Sequence, residues 1–122
     1  HKQLADRFKS EVIRFIDHME ALMYKFIDKG FSKEDWKPVK RGNATSEDVF
    51  WTVDAVMNFL ISLKWPKKNF SQYINLRIRN INDDVIEKVT ECTIRACQEW
   101  MKRAREGTNP SPALNVCVMV KV

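Results

Sequence analysis

Three segments of this chain carry apolar residues at steps of three and four, and each is bounded by residues that start or stop helices. Together these features predict an all-α fold, an elongated antiparallel helical bundle with long helices. The helices are expected at about residues 2–29, 46–64 and 66–106, with the start of another element from 112.

In the first segment Phe8, Val12, Phe15, Met19, Leu22 and Phe26 alternate steps of four and three, the seam of a packed helix. Ile13, Ile16, Met23 and Ile27 form a second stripe beside it, so two neighbouring helices can be contacted at once. Gly30 is placed as the residue just past the helix end, where a left-handed backbone costs glycine little. The connection from Phe31 to Ala44 sets Phe31, Trp36 and Val39 among charges. It is expected to fold back and pin its aromatics onto the bundle, with Ser32 capping a short turn.

The second helix is expected to start at Thr45, whose hydroxyl can accept from first-turn amides, with Glu47 adding negative charge where the dipole favours it. Phe50, Val53, Met57, Leu60 and Leu63 recur along one face, widened by Val49, Val56 and Ile61, until Trp65-Pro66 disfavours further helix.

In the third, Tyr73 or Ile74, Ile78, Ile81, Val85, Val89, Cys92, Ala96 and Trp100 trace the buried face. Asp84 with Lys88, Glu91 with Arg95, and Glu99 with Arg103 stand acid-first at four-residue spacing, as on an exposed helical face. Asn80-Ile81-Asn82-Asp83 is the weakest stretch, yet continuity is expected through it. Lys102, Arg103 and Arg105 suit the helix's negative end, and Gly107 to Pro112 terminates it. The closing ALNVCVMVKV reads as the first turns of a further helix or as a strand, and its exposed apolar end is expected to favour self-association.

Composition bounds the function. The 122 residues, 44% hydrophobic and 30% charged, make one helical unit with no apolar run near the roughly 20 residues of a bilayer span. Nothing marks a signal peptide, and Cys92, Cys97 and Cys117 lack metal or redox spacing, so a cytoplasmic protein with buried structural thiols is expected. The net charge of +5 is interleaved rather than blocked, and nucleic acid is not an expected partner.

His18 sits among Asp17, Met19 and Glu20 with no positioned nucleophile, and Gly30, Gly42 and Gly107 are too isolated to cradle phosphate. Asp83-Asp84 with Glu87 read as solvated acids rather than a metal site. No enzyme, cofactor or metal is expected. Arg77, Lys88, Arg95 and Lys102 recur on one face of the third helix and, with Trp51 at the edge of the second helix's stripe, form a candidate partner-binding set. Set against this is a solvated stripe balanced by Asp84, Glu91 and Glu99. Lys33, Lys37, Lys40 and Arg41, with Lys67 and Lys68, form an alternative set for acidic phospholipid.

Thr45-Ser46-Glu47-Asp48, Phe50-Trp51, Asp54-Ala55, Trp65-Pro66, Phe70, Leu76-Arg77 and Cys92-Thr93, with Gly30-Phe31 and Trp36-x-Pro38-Val39 upstream, resemble the MUN-domain vesicle-priming family. The resemblance covers roughly residues 20 to 120. It implies a fragment of a helical rod and a non-catalytic module that engages SNARE proteins such as syntaxin in calcium-regulated exocytosis, peripheral to vesicle or plasma membrane through other parts of a larger protein. Some relatives carry a long proline-rich insertion where Lys40-Arg41-Gly42-Asn43 stands here. A purely structural segment of that larger protein is the remaining alternative.

Overall fold

A computed structural model describes residues 2–40, 42–65 and 67–107. Three helices run up, down and up: α1 (Lys2–Ser32), α2 (Ala44–Ser62) and α3 (Lys68–Arg105). The order of contacts fixes these directions. Phe15 meets Phe59 and Gly30 meets Thr45, so α2 is antiparallel to α1, whereas Asp17 pairs with Arg77 and Asp28 with Lys88, so α3 runs parallel to α1. The fold is therefore all-α, as expected. The element expected from 112 lies outside the described residues.

At 1.5 Å per residue α3 extends about 57 Å and α2 about 28 Å, so α3 outruns its neighbour. The core follows in three clusters along the long axis. Val12, Ile16, Leu60, Ile74 and Ile78 close one end, with Trp65 and Phe70 packed on them. Met23, Ile27, Val49, Val53, Val85 and Val89 fill the middle. Beyond the start of α2, the connection supplies the missing wall: Trp36 is buried against Cys97 and Trp100, with Phe31 beside it. Trp36 holds a left-handed backbone (φ 59°), uncommon for a bulky residue, in the same segment that buries its indole. α3 passes through Asn80 to Asp83 without a break.

Several local expectations change. Asn43, not Thr45, caps α2, because its extended backbone lets the side-chain oxygen accept the Ser46 N–H at 2.8 Å. Thr45, the second residue of α2, is buried. Its N–H donates to Glu34 Oε2 at 3.1 Å, and its hydroxyl reaches the same carboxylate and the Gly30 carbonyl. Gly30 lies within α1, which continues to Ser32, whose hydroxyl donates to the Lys29 carbonyl at 2.7 Å. Glycine is needed at 30 for proximity rather than for a left-handed turn: a Cβ there would stand 2.6 Å from Thr45 Cγ2. The left-handed glycine past a helix end is Gly107, after α3. Ile61 and Leu63, expected on the buried face of α2, are exposed, since the helix ends at Ser62 and Trp65 takes the corner against Phe8 and Phe70.

The largest change concerns α1. Its second stripe is the core face, with Ile16 and Ile27 fully buried, worth about 1.5–3 kcal/mol each. Of the expected seam, Val12 is buried, whereas Phe8, Phe15, Leu22 and Phe26 remain 39–56% exposed. Two helices can cover only one broad arc of a third, and α1 is apolar over two.

Gly30→Ala should lower the denaturation midpoint, because an overpacking cost of about 1–3 kcal/mol exceeds the roughly 1 kcal/mol that alanine gains in a helix. In a Thr45→Ser background, which removes Cγ2 and keeps the hydroxyl, the same substitution should become neutral or stabilising. Stabilisation by Gly30→Ala in the unaltered chain would contradict the close approach.

Candidate interaction surfaces

The basic residues of α3 divide according to what α1 offers them. Arg77, level with the acidic turn of α1, donates to Asp17 at 2.6 Å and Glu20 at 2.8 Å, and its side chain is three-quarters buried. Burial alone would push the guanidinium's pKa down, but hydrogen bonds to Asp17, Tyr73 and Glu20 hold it above its ordinary value, so its charge is permanent. Lys88 pairs with Asp28 at 3.0 Å and lies over the Tyr24 ring. The first two members of the expected stripe thus form the seam between α1 and α3. Arg95 borders a groove of about 430 Å³ with Asp28, Trp36 and Glu99, and Lys102 is exposed beyond it.

This seam redistributes the pairs expected within α3. Glu99–Arg103 closes at 3.5 Å, whereas Lys88 turns to α1 and Asp84 accepts from the Tyr24 hydroxyl at 3.4 Å. Tyr24 also faces Glu20 at 3.2 Å. Burial, then the two nearby carboxylates, push the phenol up to about 12. Cys92 is half-buried in the same seam, and burial raises its thiol.

The second basic set is not brought together. Lys33, Lys37 and Lys40 are exposed at the end where α1 hands over to α2, and Lys37 lies 3.9 Å from Asp35. Lys67 and Lys68 sit at the opposite end, separated by the length of α2. Arg41 lies outside the described residues. A flat anionic surface therefore meets two separate groups of lysines rather than one patch.

Trp51 is 70% exposed on α2 and, with Ala55 and Phe59, forms an exposed row at four-residue spacing. Phe15 packs edge-on against Phe59 at 6.1 Å, which joins that row to the exposed stripe of α1. Sequence reasoning placed Phe15, Leu22 and Phe26 in a packed seam. The signal that they face outward was the width of apolar sequence on α1, too great for the two other helices among the described residues to cover. Among the described residues no helix is long and apolar enough to cross a membrane.

A model of the MUN domain matches residues 1–122. The chain is similar to the Calcium-dependent secretion activator of Drosophila melanogaster, 26% identical over 180 residues that take in 100% of this chain and 12% of that protein. The aligned stretch is longer than the chain itself, so the relative carries residues with no counterpart here. No solved structure matches.

Tyr24 gives this geometry a pH signature. In the unfolded chain the phenol loses its proton near pH 10, while the folded chain keeps it to about 12, so between these values the unfolded state binds fewer protons and stability falls as pH rises. The contribution is complete below pH 10 and lost through about 12. Denaturant titrations at pH 9 to 12 should show a steeper decline for the unaltered chain than for Tyr24→Phe, and parallel declines would remove the tyrosine from the seam.

Proposed function

This chain belongs to the MUN-domain family, and on that premise we propose that it is a non-catalytic interaction module of a vesicle-priming protein, acting in calcium-regulated exocytosis through contact with SNARE proteins such as syntaxin. The similarity to a calcium-dependent secretion activator supports the process. The chain spans 12% of that relative's length.

The observation that carries the reading is the contrast between seam and surface. Arg77, Lys88, Tyr24 and their carboxylate partners face one another and hold helix to helix. Trp51, by contrast, presents its indole to solvent, where an aromatic side chain of this size is poised for a partner. Arg95 and Lys102 are the members of the α3 set still available to an acidic partner. Arg77 and Lys88 serve as structure, so substituting them reports on folding rather than on contact.

Titration calorimetry against the cytosolic part of syntaxin, at low and physiological salt, tests the reading. Saturable binding is expected, weakened roughly tenfold by Trp51→Ala with no change in unfolding midpoint. Absence of any binding at the highest attainable protein concentration would overturn it and leave this unit as scaffold.

A further inference from the structure

The net charge of +5, interleaved along the sequence, is gathered by the fold at one end of the bundle. That end joins residues 2–10 of α1 to residues 55–75, which run from the last turns of α2 to the first turns of α3. Ring centroids of Phe8 and Trp65 lie 5.8 Å apart, those of Trp65 and Phe70 5.2 Å, and the Lys9 ammonium sits over the Phe70 ring at 5.5 Å. These two stretches hold Lys2, Arg7, Lys9, Lys64, Lys67 and Lys68 against Asp6 alone, which accounts for the whole net charge. Over the rest of the chain basic and acidic side chains are equal in number. The acids of α2, Glu47, Asp48 and Asp54, stand about 12 Å or more up its axis, because Ala55 to Ser62 carry no charge.

The same end exposes apolar side chains among its lysines. Leu4 is 70% and Ile61 58% exposed, and Phe8 and Leu63 are exposed as well. Lys64 turns the corner in a left-handed backbone (φ 47°), between the exposed Leu63 and the packed Trp65. A cleft of about 110 Å³ opens beside Phe8, Trp65 and Phe70, flanked by Lys9 and Lys67.

The chemistry and the size of this end select its partner. Five of the six cations are lysines, compact charges on flexible stems that suit a diffuse anionic surface, whereas recognition of one fixed carboxylate favours the arginine fork. Three helix ends, each about 10 Å across, present roughly 250 Å² in cross-section, well below the about 800 Å² that a stable protein contact takes from each side. A lipid surface demands no such area. Lysines are drawn to its headgroups, and apolar side chains enter the headgroup layer while the lysine stems lie along it.

We propose that this end of the bundle, centred on Lys9, Lys64, Lys67 and Lys68 with Ile61 and Leu63, docks end-on against an anionic membrane surface. The contact is reversible and weakens with salt. It is separate from the protein contact proposed above, since Trp51 lies on the side of the bundle and stays open to a partner.

The test is co-sedimentation of the chain with vesicles of phosphatidylcholine alone or with about 30% phosphatidylserine, where partition onto the anionic vesicles should be at least roughly tenfold stronger at low salt and should fall as salt rises. Lys64→Glu/Lys67→Glu/Lys68→Glu should lower that partition at least roughly tenfold, whereas Lys33→Glu/Lys37→Glu/Lys40→Glu, the same charge change at the opposite end, should lower it less than about threefold. Ile61→Ser/Leu63→Ser, at exposed positions, should weaken it with charge unchanged. Absence of binding to the anionic vesicles overturns the proposal, and so does an equal loss in the two triple variants, which would mean attraction by net charge alone. Release from vesicles by inorganic phosphate, beyond that caused by sodium chloride at the same ionic strength, would assign the end to a soluble phosphate instead. Loss of syntaxin binding in the Lys64→Glu/Lys67→Glu/Lys68→Glu variant with vesicle binding unchanged would assign it to an acidic protein and overturn the membrane contact.

Discussion

Arg77 between Asp17 and Glu20 sets the rotation of α1, and most of the molecule depends on that rotation. The first helix is apolar over two stripes separated by roughly 100°, and either could have been buried. Asp17, Glu20, Tyr24 and Asp28 occupy the side that meets α3, where Arg77, Lys88 and Asp84 stand opposite at matching heights. Turning α1 to bury Phe15 and Leu22 would carry these acids away and leave a three-quarters-buried guanidinium without a carboxylate to balance its charge, which is destabilising. Exposed ion pairs contribute little on their own; here they act as a register.

The other end of α1 is held by steric fit. Gly30 admits the methyl group of Thr45, Glu34 accepts from Thr45, and Asn43 caps the helix that follows. Trp36 then turns back across α3, covering the stretch that α2 is too short to reach. With α1 fixed at its middle by charge and at its end by close packing, the surplus apolar stripe has no choice but to face outward. Its exposure is thus a consequence of how the core is satisfied.

Much of this was legible in the sequence where one local rule acted alone. Helix periodicity, the stop at Trp65-Pro66, the glycine past α3 and the burial of Trp36 follow from side-chain spacing and backbone preference, and the family was readable from spaced matches along the chain. Legibility failed where two local solutions competed. Asn43 and Thr45 can each cap a helix, and only the position of Glu34 shows that Thr45 is engaged elsewhere. Asp84–Lys88 is a sound helical pair until Tyr24 and Asp28 arrive from α1. The two stripes of α1 were both visible, but which of them is core depends on partners some 60 residues away in sequence. The scattered lysines looked like one patch because sequence distance hides that α2 separates Lys40 from Lys67.

The central claim is that α1 buries the Ile16–Met23–Ile27 stripe and exposes the Phe15–Leu22–Phe26 stripe. Adjacent positions 22 and 23 separate these alternatives most directly: Leu22→Cys and Met23→Cys variants, labelled with a maleimide and read by peptide mass mapping, compare the two sides of one turn. A thiol at 22 that reacts near the rate of an unfolded control, beside one at 23 that is strongly protected, is the predicted result. Protection at 22 with rapid labelling at 23 would contradict the rotation of α1 and, with it, the seam and the exposed stripe derived from it.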